Sequence, residues 1–229
     1  VSRPLVIAHR GASAVEVENS LAAFRAADRL GADGVELDIH ATRDGALVVH
    51  HDPVVAGVHI PGTTESVVRS RRLPNGEPPP LLEEALAAIG PRLRAYVEIK
   101  TLPAAWDARL FAALDAGPNP AGYAVHSFDH RVVARLGRAR PMLPRGVLMV
   151  SYPVRPLVPL QDVGAVACWQ ERSLVDEALV ETLHIAGTQV IVWTVDDPAE
   201  MMRLARLGAD GLCTNRPDLA RRTVDSAPA

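Results

Sequence analysis

Eight short apolar runs, most of them followed by a helical pattern, divide the chain along its length. Residues 5–9 (LVIAH), 34–40 (GVELDIH), 95–100 (AYVEIK), 123–128 (YAVHSF), 146–150 (GVLMV), 165–169 (AVACW), 189–195 (QVIVWTV) and 210–215 (DGLCTN) read as strands. After the first, Leu21, Phe24, Ala27 and Leu30 recur at helical spacing and Gly31 stops the run. Residues 173–187, opened by Ser173, and 198–208 end on glycine in the same way. Asn19 is placed to cap the first helix. Strand–helix alternation implies parallel strands joined by helical crossovers. Eight such units predict an α/β chain folded as a closed (β/α)8 TIM barrel; from the count alone an open doubly wound sheet stays possible.

Two segments break this rhythm. Residues 46–51 (ALVVHH) follow Arg43-Asp44-Gly45, a turn signal, and read as a hairpin arm. Residues 53–80 are rich in Gly, Pro, Thr and Arg, too long for a plain connection, and are expected to make an excursion over the C-terminal mouth. The tail after Arg222 is expected to fray. Residues 1–229 are read as one barrel domain, a size such barrels routinely reach.

Composition removes several classes of function. A net charge of -3 gives no electrostatic footprint for nucleic acid. No stretch approaches the ~18 apolar residues of a membrane span. The start, VSRPLVIAHRG, is too short in its apolar part for a signal peptide, so the expected compartment is the cytoplasm; a secreted or periplasmic protein whose leader was removed is the alternative. Cys168 and Cys213 lack zinc-ligand spacing and read as buried small hydrophobes. Oligomeric state has no signal in the sequence.

Polarity is out of place inside the strands. Glu36 and Asp38 lie two apart in GVELDIH and point to one face, as do Glu98 and Lys100 in YVEIK. Buried carboxylates are costly unless paired or bound to metal, and three of them from neighbouring strands suit one hard divalent cation, Mg²⁺ or Ca²⁺. His9 ends the first strand; His50 and His51 end the hairpin arm, and only one of that pair can face the site. Two histidines beside a carboxylate cage read as an acid and a base. His40, His59, His126, His130 and His184 are given structural roles, His126 and His184 as packing or helix-surface residues. Of 24 basic residues 23 are Arg, so Lys100 stands out as a place that needs a compact ammonium. Arg10 and Lys100 beside a cation suit a phosphate. No GxxxxGK[ST] loop is present, and no GxGxxG opens a helix after the first strand.

In order along the chain, IAHRGASAVEVENSLAAF, LGADGVELDIHATRDGALVVHHDP, PPPLLEEAL, YVEIK, SFD, VWTVDD and LGADGLCTNRPD resemble the glycerophosphodiester phosphodiesterase family. The resemblance implies a (β/α)8 barrel that uses a divalent metal to hydrolyse glycerophosphodiesters to sn-glycerol 3-phosphate and an alcohol. It implies His9 and His51 as general acid and base, Glu36, Asp38 and Glu98 as metal ligands, and Arg10 and Lys100 as phosphate contacts. It places Glu18 near the metal and the substrate hydroxyls, and Trp193 at the barrel mouth. The chain departs from the family in three places: VVAGVHIPGTT follows HDP, WTVDD replaces WTVN, and TNRP replaces the TDxP pattern. A lysophospholipase D or sphingomyelinase D-like activity would need an acyl groove, for which the excursion offers only Val54, Val55, Val58 and Ile60. A barrel that binds phosphodiesters without turning them over, and a sugar-isomerase-like metal barrel, are the remaining readings.

Overall fold

The computed structural model describes residues 3–226. Eight parallel strands form its centre: β1 (Leu5–His9), β2 (Gly34–Ala41), β6 (Arg94–Thr101), β7 (Tyr123–Ser127), β8 (Arg145–Met149), β9 (Ala167–Glu171), β10 (Gln189–Trp193) and β11 (Gly211–Thr214). Each pairs with its neighbour in chain order, and β1 pairs with both β2 and β11, which closes the sheet into a barrel. The open-sheet alternative is thereby excluded. Helices α1 (Leu21–Arg29), α3 (Leu82–Ile89), α4 (Asp107–Ala116), α5 (His130–Ala139), α6 (Val158–Val163), α7 (Glu177–Ile185), α8 (Pro198–Leu207) and α9 (Pro217–Asp225) lie between and after the strands. No helix among the described residues is long and apolar enough to cross a membrane.

Helix starts follow side-chain chemistry, and two differ from expectation. Ser20, not Asn19, caps α1, its side chain accepting the Ala23 N–H. Ser173 sits in a 3-10 turn, and α7 begins three residues later on Asp176, which accepts the Leu179 N–H. Asp129 and Asp197 cap α5 and α8 likewise. The expected fraying after Arg222 does not begin there, because α9 runs on to Asp225; residues 227–229 lie outside the described residues.

Inside the barrel, Ile7, Tyr96, Leu148, Trp169, Ile191 and Cys213 pack together. Outside it, one cluster fills the space between the first half of the barrel and α1, α3 and α4, and a second serves the other half. Both cysteines are buried and unpaired. Trp169 is admitted by Gly146, where an added Cβ would stand 2.8 Å from the indole.

The hairpin arm is β3 (Leu47–Val49), antiparallel to the C-terminal end of β2. The excursion follows, through a small hairpin of β4 (Val54–Val55) and β5 (Val58–His59) and the short helix α2 (Glu65–Arg69). Val55, Ile60, Val68 and Leu73 are buried with Val48, and Val17 packs against them. The excursion therefore has its own apolar nucleus, and none of its residues lines the cavity described below.

The loop after β1 is tightly held. Gly11 has φ +81°, and an added Cβ would lie 2.7 Å from the Ala23 backbone. Gly11→Ala is expected to cost roughly 2–4 kcal/mol, about 1 for the left-handed φ and 1–3 for overpacking. Gly76→Ala, at φ +83° with nothing within 4 Å, is expected to cost only about 1 kcal/mol. Urea unfolding of both variants checks this, and equal losses would contradict it.

Candidate active site

A cavity of about 70 Å³ opens at the C-terminal ends of the strands, lined by His9, Arg10, Glu36, His51, Glu98, Lys100, His126, Phe128 and Trp193 among others. A larger cavity of about 380 Å³ lies at the opposite mouth, but no carboxylate or histidine lines it. The candidate catalytic side chains line the smaller one.

Strand register builds the polar floor. His9 sits beside Glu36 across β1 and β2, Asp38 beside Glu98 across β2 and β6, and Glu98 beside His126 across β6 and β7. All of these side chains point inward. Glu36, Asp38 and Glu98 are 3%, 1% and 6% exposed. Three carboxylates thus meet two cations, Arg10 and Lys100. Lys100 Nζ lies 2.7 Å from Glu98 Oε1 and 3.2 Å from Asp38 Oδ1, and Arg10 Nε lies 3.3 Å from Asp38 Oδ2.

The imbalance falls unevenly. Burial opposes the Asp38 charge, but Lys100, Arg10 and the Asn19 amide outweigh it and hold that carboxyl below its ordinary value. Burial, then Asp38 and Glu98, push Glu36 well above its own. Burial and Asp38 push Glu98 up to about 7, against the pull of Lys100. Burial would lower Lys100, yet Asp38 and Glu98 raise it, so it stays an ammonium. Glu36 Oε1 is buried without a hydrogen bond. An orphaned oxygen and excess negative charge are what a bound divalent cation relieves, so the residues present fit one.

Backbone conformation serves the cage. Arg10 has φ +55°, which turns its N–H to Glu36 Oε2 at 3.2 Å. Its guanidinium is also gripped by both oxygens of Glu18, at 3.1 and 2.9 Å, which places Glu18 on the rim. Asn19, at φ +56° and 1% exposed, donates from its amide to Asp38 Oδ2 at 2.8 Å. It positions a carboxylate, a role the sequence reading missed.

His9 is oriented through two further residues. Asp196 can only accept, so the Asn215 Nδ2 faces it at 2.6 Å and the Asn215 oxygen faces His9 Nδ1 at 2.8 Å. Nδ1 therefore carries the proton, and the Nε2 lone pair lies 4.0 Å from Glu36 Oε2. Burial, then Arg10, lower the pKa of His9. WTVDD and TNRP, two of the departures from the family pattern, land on this one hydrogen-bonded pair.

On the other side, His51 Nδ1 lies 2.8 Å from Asp52 Oδ1, and the His51 carbonyl accepts from His40 Nε2 at 3.0 Å. His50 is turned instead to the Asp52 carbonyl. Trp193 donates from Nε1 to the Trp169 carbonyl and meets Phe128 edge-on at 5.5 Å, with Lys100 Nζ 5.8 Å from the Phe128 ring centre.

His126, expected from the sequence as a packing residue, does pack and also faces the site. It is 1% exposed and stacked on Trp169 at 4.2 Å, and burial lowers its pKa to about 3. Glu36, Glu98 and His126 each offer a donor atom within 4.8 Å of the others. The available signal was its phase, two residues before Phe128 on the strand after YVEIK.

Comparison with known proteins points to one family. The sequence model of the glycerophosphoryl diester phosphodiesterase family matches residues 9–219. A glycerophosphodiester phosphodiesterase of Caldanaerobacter subterraneus subsp. tengcongensis is 31% identical, covering 94% of this chain and 96% of its own. The crystal structure of a glycerophosphodiester phosphodiesterase from Parabacteroides distasonis superposes with a TM-score of 0.88 at 25% identity, over 98% of each chain. A phosphodiesterase of Oleispira antarctica, solved with the product sn-glycerol-3-phosphate, shares the fold with a TM-score of 0.90 at 23% identity, over 97% of each chain.

Because the raised values of Glu36 and Glu98 belong to the folded cage, pH and stability are linked. The fold holds these protons more tightly than the unfolded chain does. The Glu98 contribution is full below about pH 4.5 and is lost as pH rises through about 7, and Glu36 acts in the same direction. The unfolding midpoint of metal-free protein is expected to fall across that window. Added divalent cation, which competes with those protons, should restore it most above pH 7. Glu98→Gln should flatten the profile; a variant that tracks the parent would contradict this.

Proposed function

The chain belongs to the glycerophosphoryl diester phosphodiesterase family, and on that premise we propose that it hydrolyses glycerophosphodiesters to sn-glycerol 3-phosphate and an alcohol, with a divalent cation and two histidines. The observation that carries this reading is three buried carboxylates from neighbouring strands beside His9 and His51, at one mouth of a closed barrel. Glu36, Asp38 and Glu98 would hold the cation, which as a Lewis acid would polarise a phosphoryl oxygen and stabilise charge growing on it.

The remaining steps belong to the side chains. His9, neutral with its lone pair on Nε2, takes the proton of the attacking hydroxyl as a new P–O bond forms. His51, its Nδ1 facing the Asp52 carboxylate, gives a proton to the departing alkoxide as the old P–O bond breaks. Attack by the 2-hydroxyl of the substrate gives a cyclic phosphate, which water opens with the two roles exchanged. Lys100 and Arg10 stand on the cavity wall, where their charges suit the phosphate oxygens. Neutral Asn215, which turns its amide oxygen to His9 because its Nδ2 donates to Asp196, fixes the His9 tautomer without adding a negative charge to an already acidic site.

One observation favours a second reading, an acylated diester. Val150, Tyr152 and Val154 in the loop after β8, and Phe128, are 63%, 40%, 101% and 43% exposed at the catalytic end of the barrel. The excursion, by contrast, buries Val55 and Ile60 in its own nucleus. Comparing glycerophosphocholine with its acylated analogue separates the two readings.

Release of sn-glycerol 3-phosphate from a panel of glycerophosphodiesters, with and without chelator, tests the proposal. The expected result is turnover that chelator abolishes, with His9→Ala and His51→Ala each lowering kcat by ~10²–10⁴. Near-parental turnover in either variant would remove that histidine from the mechanism, and chelator-resistant turnover would remove the metal.

A further inference from the structure

We propose that His126 is a fourth ligand of the cation, binding through an imidazole nitrogen, and that this makes the site prefer a first-row transition ion such as Mn²⁺ to Ca²⁺. The inference rests on the cation-dependent reading above and concerns which ion that reading requires.

His126 occupies the barrel wall next to Glu98 in register, with its ring held flat against Trp169 at an interplanar angle of 17°. Neither ring nitrogen has a hydrogen-bond partner, although the ring is buried. Buried polar side chains nearly always have one, so an imidazole with two vacant nitrogens at this place needs explaining. Its nearest carboxylate oxygen is Glu36 Oε1, itself orphaned, at 3.8 Å from Nε2. That is too long for a hydrogen bond. It suits two atoms that share an ion, since ligands each ~2.1 Å from one metal stand up to ~4.2 Å apart. Glu98 completes the set within 4.8 Å. A histidine serving only to hold Glu36 would sit closer and donate.

Donor chemistry then gives the selectivity. Ca²⁺ takes oxygen ligands and gains little from an imidazole, whereas first-row transition ions add an imidazole nitrogen to carboxylates, Mn²⁺ the least strongly of them, so that Mn²⁺ sets a lower limit on the preference.

Binding and spectroscopy of the intact protein test this. Mn²⁺ and Ca²⁺ are titrated separately into metal-free parent and His126→Asn proteins. The parent is expected to bind Mn²⁺ more than tenfold tighter than Ca²⁺. His126→Asn should lose ~10–100-fold in Mn²⁺ affinity, the scale of a disrupted ligand shell, with Ca²⁺ affinity changed much less. Pulsed electron paramagnetic resonance of Mn²⁺ on the parent should show coupling to a ¹⁴N nucleus that persists in His9→Asn and disappears in His126→Asn. The parent spectrum keeps the test decisive even if a variant folds poorly. Mn²⁺ bound without nitrogen coupling, or coupling that survives His126→Asn, overturns the inference and leaves the carboxylate site standing. Binding of neither ion overturns this inference and the cation-dependent reading together.

Discussion

Three carboxylates and only two cations share the wall of a closed barrel, and that imbalance governs the rest of the structure. In water it would be trivial; at 1–6% exposure it is costly. Asp38 keeps its charge because Lys100, Arg10 and Asn19 all face it. Glu36 and Glu98 bear the deficit, and both retain protons more tightly than free glutamates do. A site of this kind is held in readiness for positive charge.

What maintains it is the surrounding scaffold. Barrel closure fixes the register that sets His9, Glu36, Asp38, Glu98 and His126 on one inner wall. Arg10 and Asn19 adopt left-handed backbone, an energetic cost that their bonds to Glu36 and Asp38 offset. The Asp196–Asn215 pair orients His9, and His40, hydrogen bonded to Thr101, steadies the backbone at His51. Much of the polarity near the mouth therefore serves positioning, and it engages His9 and His51 through Nδ1, which leaves their Nε2 atoms available for the proposed acid and base roles.

The barrel and the acidic cage were legible because both are written in short-range patterns. Strand–helix alternation counts units, and a two-residue spacing puts Glu36 with Asp38 and Glu98 with Lys100. Residues whose work depends on distant partners were not legible. Asn215 is 206 positions from His9, and Asn19 looks like a helix cap until Ser20 is seen to do that job. His126 reads as packing, and it does pack, against Trp169; only register beside Glu98 reveals its second neighbourhood. The excursion was placed over the mouth on length and composition. Its apolar nucleus was not legible, because Val48 and Val17 complete it from outside the segment.

The account turns on whether the acidic wall takes up a cation. Anomalous diffraction from crystals equilibrated with Mn²⁺ addresses this directly. The expected result is one strong peak in the cavity, with oxygens of Glu36 and Glu98 about 2.0–2.6 Å away. A peak elsewhere on the molecule, with Glu36 still unpartnered and the cavity empty of the ion, would contradict the account.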